Sequence, residues 1–365
     1  MAGGTPLIIP ARERGLDAHT VRGAAARLRV GIKDVAREAG VSLGTVSNVL
    51  NRPGIVAEST RRRVLDVIDS IGYVRTEGAR QLHGLASRVI ALLGLDPAGP
   101  SFTALTTGIG QAAREADLGV MVCTGASDPA EEDRHLALLT SHRVRGAVLT
   151  SGDGVERTVA ALRRHALPFV VADQYTPEPA ACSVGIDDVA GGYAAVRHLL
   201  ERGHRDVVYV GGPDRLAPIR DRRTGARRAV NRSGLPSASL YELACSAPTV
   251  SAGNDAGHRI LGLPVRPTAV FCADDLLALG VMQALYEAGL RVPDDVAMVG
   301  YDDLEFAASA VVPLTTVRRP AVAMGRQAGR LLIGDTAHDA GHEHAHVVLQ
   351  PELVVRRSTL TAPVR

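Results

Sequence analysis

Apolar residues recur at helical spacing in three short stretches near the start of the chain, and further on they gather into continuous runs of strand length. The first stretch is Ile32, Val35, Ala36 and Ala39, one helical stripe that ends at Gly40, a residue free to take the backbone of a sharp turn. Ser42 restarts the chain, with a hydroxyl able to cap a second helix whose inner face is Val46, Val49 and Leu50. Gly44, Thr45, Ser47 and Asn48 are left facing outward. Asn51, Arg52, Pro53 and Gly54 break the pattern, and a third stripe, Val64, Val67, Ile68 and Ile71, closes at Gly72. Two helices about a tight turn, the second presenting small polar side chains, read as a helix-turn-helix that can enter a DNA major groove. An ordinary helical hairpin in an all-α core accounts for residues 32–51 equally simply.

Residues 75–84, RTEGARQLHG, form a different kind of segment. Thr76 can cap a helix, yet the stretch contains Gly78 and falls short of the ~12–15 residues an isolated helix needs in water. It is expected to order only on binding. Leu82 is then a lone large apolar side chain, a candidate wedge for a minor-groove base step, with a plain linker as the alternative. From Arg88 onward the runs RVIALLGL, GVMVCT, RGAVLT and PFVVAD alternate with helix-like stretches at 103–117 and 129–141. DVVYVGG, TAVFCADD and DVAMVGYDD repeat the alternation with helices at 188–202 and 274–289. Such βαβ repetition predicts an α/β core of two doubly wound parallel lobes, with strand-end loops facing a shared ligand cleft.

Composition narrows the class. A chain of 365 residues that is 46% hydrophobic has room for two or three domains with real cores. It holds no apolar run of the roughly eighteen residues that a membrane helix needs. Residues 1–29 lack the apolar h-region of a secretory signal and read as a disordered extension. Cys123, Cys182, Cys245 and Cys272 are scattered without C-x-x-C spacing, so neither a zinc knuckle nor a disulfide frame is expected, and a reducing cytoplasm fits. The net charge is +2, but residues 1–84 hold 13 Lys or Arg against 8 Asp or Glu, so the basic end is separate from an acidic bulk. Arg61, Arg62 and Arg63 are read as crowding the first turn of the third helix, where the helix dipole disfavours cations and an external anion would explain them.

Several strings taken together resemble the LacI/GalR (lactose-repressor) family of transcriptional regulators. They are IKDVAREAGVSLGTVSNVLN at 32–51, GARQL in the following linker, HLLERGHRDVVYVGGP at 198–213, and DDLLALGVMQALYEAGLRVPDDVAMVGYDD at 274–303, with PLTTV at 313–317 and PELVVRRST at 351–359. The resemblance runs from about Val30 to the end of the chain. It implies a small all-α helix-turn-helix domain at 30–74, a hinge helix and linker at 75–87, and a two-lobed core at 88–365 like a periplasmic sugar-binding protein. Lobe 1 is expected at about 88–186 and 317–337, and lobe 2 at about 187–314 and 343–360. It also implies a homodimer on double-stranded palindromic operator DNA, controlled by a small-molecule effector, with no cofactor and no metal.

Carried over residue by residue, the resemblance puts Leu43 and Gly44 at the positions that discriminate operators, with Ser42, Thr45, Ser47, Asn51, Thr60, Arg61 and Tyr73 also on the DNA side. Asn48 stands where many members carry arginine, so its amide is expected to read adenine rather than guanine. The hinge matches at Ala79 and Leu82, while Arg75 and Thr76 replace a usual Pro-Asn. The effector set is Ser101, Phe102, Asp173, Asp188, Arg220, Arg222, Asp274, Asp302 and Arg319. Asp188 and Asp274 stand where the family usually has Asn, and Arg319 replaces a common Gln. These charges either pair with one another or meet a ligand, for which a sugar or related polyhydroxyl compound is favoured.

HEHAH at 342–346 satisfies H-E-x-x-H in letters, yet the metalloprotease signature needs a helix, and Gly341 before it and VVLQPELVV after it predict extended backbone. Neither a G-x-G-x-x-G nor a G-x-S-x-G nucleophile elbow follows a strand, so an enzyme is not expected. The alternatives are a cytoplasmic sugar-binding protein without DNA affinity and a sugar-processing enzyme.

Overall fold

The computed structural model describes residues 30–74, 87–94, 100–124, 129–150, 152, 154–173, 181–336 and 343–360. The chain divides into two compact units, one before residue 86 and one from there on. The expectations placed on residues 1–29 and on Thr76, Ala79 and Leu82 lie outside the described residues.

In the first unit, α1 (Ile32–Glu38), α2 (Leu43–Asn51) and α3 (Glu58–Ile71) follow the apolar stripes. Val35, Ala36, Ala39, Val46, Val49 and Val64 form its buried centre, with Ile32, Leu50, Val67, Ile68, Ile71 and Tyr73 packed around them. The turn and stop residues act as their chemistry requires. Gly40 and Gly72 take left-handed φ of 61° and 65°, and Ser42 Oγ accepts from the Thr45 N–H at 3.1 Å. Because α3 begins at Glu58, Arg61, Arg62 and Arg63 occupy its second turn rather than its first. Arg62 pairs with Glu58, so one of the three has an internal explanation.

The second unit is built on two six-stranded sheets. The strands are β1 (Val89–Gly94), β2 (Gly119–Thr124), β3 (Ala147–Thr150), β4 (Phe169–Ala172), β5 (Cys182–Ile186), β6 (Asp206–Gly211), β7 (Ser239–Ala244), β8 (Ala269–Cys272), β9 (Ala297–Asp302), β10 (Thr315–Arg318), β11 (His346–Leu349) and β12 (Glu352–Val354). The first sheet runs β11-β5-β4-β3-β1-β2 and is parallel throughout. The second runs β12-β10-β9-β8-β6-β7, parallel except for its antiparallel edge β12. Both are doubly wound, as the alternating runs predicted. Ala91 and Leu93 face one buried cluster while Ile90 and Leu92 face another, so helices cover both sides and the strands read as unbroken apolar runs.

Sheet membership corrects the expected lobe boundaries. Residues 315–318 pair with β9 in the second sheet, so the chain crosses back to lobe 1 only at 319–320. Residues 346–349, expected in lobe 2, pair with β5 in the first sheet and cross at 350–351. Strand pairing decides this, and a four-residue run such as HVVL carries no mark of which sheet it will join. The first crossing, at Asp187, is tied to the third by the Asp187 N–H donating to Leu349 O at 2.9 Å.

The helices are α4 (Pro100–Glu115), α5 (Pro129–Ser141), α6 (Val155–Arg164), α7 (Asp188–Glu201), α8 (Ala217–Arg232), α9 (Val250–Leu261), α10 (Asp275–Glu287), α11 (Glu305–Ser309) and α12 (Ala321–Asp335). Three pairs meet at reciprocal glycines: Gly108 with Gly325 in α4 and α12, Gly192 with Gly225 in α7 and α8, and Gly253 with Gly280 in α9 and α10. A Cβ on Gly108 would lie 2.0 Å from Val322 O, and one on Gly192 would lie 2.0 Å from Arg222 O. The backbones touch, and no side chain fits between them. No described helix is long and apolar enough to cross a membrane, and the four cysteines are buried and unbridged.

Candidate functional site

Two surfaces collect the residues singled out from the sequence. On the first unit, Ser42, Leu43 and Gly44 are exposed at the start of α2, Leu43 at 44% despite its size. Thr45 Oγ1 lies 2.9 Å from Ser42 Oγ, and the Asn51 amide donates to Ser47 Oγ at 3.2 Å. Asn51 Oδ1 is buried and has no hydrogen-bond partner among the described residues. The half-buried Asn48 amide makes no hydrogen bond to another described residue, so both its donor and its acceptor are available. Thr60 and Arg61 are half-buried on α3, while Tyr73 packs against the helical core. Lys33, Arg52, Arg61 and Arg63 form no ion pair with a described residue, so four cations among the described residues of this unit are without one. Of these only Arg61 belonged to the expected set. A lone basic residue carries no local signal, and pairing decides which ones stay free.

The second surface lies where strands of both sheets end. Asp173 follows β4, Asp302 ends β9, Asp274 caps α10 after β8, and Asp188 opens α7. Arg222 sits in α8, Ser101 in α4, and Arg319 in the second crossing between lobes. The backbone is strained here: Asp173, Asp302 and Asp303 have φ of 69°, 106° and 58°, a region that L-residues other than Asn and Asp seldom take.

Two buried guanidinium groups organise the charges. Arg222 donates from Nε to Asp188 Oδ1 at 2.9 Å and from Nη1 to Ala273 O at 2.5 Å, and lies over the Tyr301 ring at 3.9 Å. Its Nη2 is 3.7 Å from Asp302 Oδ1. Arg319 pairs with Asp173, donates to Ser101 Oγ at 3.2 Å, and places Nη1 3.6 Å from Asp302 Oδ1. One side chain thus joins both lobes. Burial opposes the charge on either arginine, and the carboxylates around them, Asp188 and Asp302 for Arg222, Asp173 and Asp188 for Arg319, more than offset it and raise both pKa values.

The carboxyl groups show the opposite strain. Burial lifts Asp274 well above the usual range, and the neighbouring Asp302 carboxylate lifts it further. Asp173 is raised by burial in spite of Arg319. Asp275, which sequence reasoning passed over, is fully buried, accepts from the Leu304 N–H at 2.8 Å and the Thr316 hydroxyl at 2.7 Å, and is pushed up to about 7 by burial and then by Asp302. The tandem DD after a strand was the available signal. Asp303 was also missed, and it pairs with Arg318 and Arg356.

Seven of the nine expected effector residues therefore meet in one cluster: Ser101, Asp173, Asp188, Arg222, Asp274, Asp302 and Arg319. Phe102 is half-buried with its ring over Gly94 at the end of β1. Arg220 is not brought in; it is exposed and donates to Asp214 O at 2.8 Å, because its position on α8 turns it toward the preceding loop. The described part of the HEHAH stretch, residues 343–346, is not helical. His346 opens β11 beside Ser183, with Nδ1 2.9 Å from its Oγ, and His344 approaches Cys182. Among the described residues no group of three metal-ligating side chains forms.

Comparison with known proteins gives these surfaces a context. The model of bacterial regulatory proteins of the lacI family matches residues 31–76, and that of the periplasmic binding protein-like domain matches residues 196–359. The HTH-type transcriptional repressor PurR of Vibrio campbellii is 33% identical over 333 residues, 90% of this chain and 98% of that one. The HTH-type transcriptional regulator MalR of Streptomyces coelicolor is 35% identical over 341 residues, 91% and 97% of the two chains. Among solved structures, the lac repressor dimer bound to operator and the anti-inducer ONPF superposes with a TM-score of 0.80 at 26% identity, over 91% of this chain and 99% of that one. The complex of the regulator CelR with cellobiose gives 0.68 at 31%, over 90% and 100%. The chain belongs to the lacI family of bacterial regulatory proteins, which are DNA-binding transcriptional regulators and not enzymes.

Proposed function

We propose that this protein represses transcription as a homodimer on a palindromic operator in the cytoplasm, and that a sugar or polyol held between the lobes sets its affinity for that DNA. The observation that carries the effector half is the state of the cluster itself. Arg319 Nε and Asp302 Oδ1 are buried and have no hydrogen-bond partner among the described residues, one a donor and one an acceptor. A hydroxyl group is both, so a polyhydroxyl compound can satisfy the two. The arginines are already engaged by protein carboxylates, which argues against an anionic effector. The solved CelR–cellobiose complex and the operator-bound lac repressor dimer support the same reading.

On the DNA side, Leu43 and Asn48 form the base-reading edge, Gly44 permits close approach without reading a base, Ser42, Thr45, Ser47, Asn51, Thr60 and Tyr73 position it, and Arg61 meets phosphate. Thr76, Ala79 and Leu82 serve the hinge. Effector closure of the lobes changes the hinge spacing, and the two affinities are then coupled reciprocally. The test is titration of the full chain against palindromes from the DNA upstream of its gene. Affinity should fall with salt at a log–log slope of about −0.9 per neutralised phosphate, and any sugar that shifts operator affinity should have its own affinity shifted by the same factor. Salt-indifferent binding, or sugar binding with no DNA affinity, would mark a plain sugar-binding protein and overturn the proposal.

A further inference from the structure

The cleft is short of positive charge. Among the described residues, Asp173, Asp188, Asp274 and Asp302 face two guanidinium groups, Arg222 and Arg319. The shell behind them does not redress this, since Asp275 and Asp303 stand there against Arg318 and Arg356. Asp221, on the helix that carries Arg222, adds another acid close to Asp188. Arg220, the remaining cation expected in the site, is spent on the carbonyls of Asp214 and Arg215.

The shortage falls at one place. Asp188 is matched by Arg222 and Asp173 by Arg319, both in direct contact. Asp302 has only the outer reach of these same two arginines, at 3.7 and 3.6 Å, its side chain is 5% exposed, and its Oδ1 accepts no hydrogen bond. Asp274 lies against it, with Oδ1 committed to the Leu276 N–H at 2.6 Å. Two carboxyl groups side by side, one with an unfilled acceptor, form the half-site that a protonated amine completes. Burial, and after it the neighbouring Asp302 carboxylate, hold the Asp274 carboxyl well above the usual aspartate range, and a cation lodged against the two would act in the opposite sense.

We infer that the natural effector is a cationic polyhydroxyl compound, an amino sugar or amino-cyclitol whose ammonium group lodges against Asp302 and Asp274 while its hydroxyls meet Arg319 and Asp173. This rests on the polyhydroxyl reading of the cleft and narrows it. An ammonium group against Asp274 favours its ionised form, so uptake of the cation is accompanied by release of proton to buffer from that carboxyl.

The experiment is calorimetric titration of the full chain with matched neutral, amino and acidic hexoses, hexitols and inositols, such as glucose, glucosamine and glucuronate. It is run at one ionic strength and pH 7, in two non-amine buffers of different ionisation enthalpy. The amino member of a set should bind about tenfold more tightly than its neutral parent, the gain of one charge-assisted over one neutral hydrogen bond. Its heat should differ between buffers as proton is released, while the neutral parent shows no such difference. Asp274→Asn, which keeps the helix cap, should erase both the preference and the proton release. A neutral member binding as well as or better than its amine, or a preference that survives Asp274→Asn, overturns this inference and leaves the sugar or polyol reading standing. Tightest binding by the acidic members, or no binding by any compound, overturns both.

Discussion

Both lobes wind a parallel sheet in the same order, yet most of the charge in the cleft belongs to the second. Lobe 2 supplies Asp188, Arg222, Asp274 and Asp302, held by contacts within that lobe. Lobe 1 contributes Ser101 and Asp173, and these meet the cluster chiefly through Arg319 in the crossing. The packing differs in the same sense. Reciprocal glycines lock helix pairs on both faces of the second sheet and on one face of the first. One topology therefore yields a rigid, prebuilt wall and an opposing wall that has only to arrive, an arrangement suited to a cleft that closes.

The comparison can be broken most severely at Arg222. Replacing it with Met leaves Asp188 and Asp302 buried without their shared cation and should cost about 3–5 kcal/mol of stability in urea unfolding. Protection from hydrogen exchange should fall first in β6, β8 and β9. Asp173→Asn is the matching change in lobe 1. Its side chain is 22% exposed and Arg319 still has Asp302 and Ser101 beside it, so the loss should be smaller, about 1 kcal/mol, and equal losses would abolish the distinction between the walls.

A smaller effect separates packing from charge. Gly108→Ala forces a Cβ against the Val322 carbonyl and should destabilise by about 1–3 kcal/mol. Gly110→Ala, two residues along the same helix in open space, should be neutral or stabilise by about 0.4–1 kcal/mol in thermal melts.

The third test uses pH. With Asp275 raised to about 7, the folded chain binds more protons than the unfolded one between the ordinary aspartate range and neutrality. Its stabilising contribution is complete below that range and is lost as pH rises through about 7, at up to ~1.4 kcal/mol per pH unit. Asp275→Asn should flatten this part of the stability profile in lobe 2, and an unchanged slope would assign it elsewhere.

How far the sequence could be read follows the range of the forces involved. Helical stripes, the Ser42 cap, Gly40, Gly72 and the apolar strand runs are local, and each appears where expected. The strand Cys182–Ile186, with a glycine and a serine in five residues, and the edge strand Ser239–Ala244 gave no such run and were not foreseen. The cleft residues were named from resemblance. What no local pattern could supply was their pairing, since Arg319 finds Asp173 across the intervening lobe and Arg220 turns away while Arg222, two residues on, turns in. Asp275 was missed because its partners, Leu304 and Thr316, also lie far from it in sequence, 29 and 41 residues on.

The three crossings between sheets also bear on the order in which the protein can be made. A chain emerging from the ribosome as far as Arg318 already holds every parallel strand of lobe 2 and the helices that flank them, lacking only the edge strand β12 and the turn after it. Lobe 1, though its first strand begins at Val89 and that of lobe 2 only at Asp206, still waits for α12, whose backbone seats on Gly108, and for β11. Vectorial synthesis should then complete the prebuilt wall first and leave the earlier-born lobe with an open apolar face until the final segment arrives, making late truncations costlier to lobe 1 than to its neighbour.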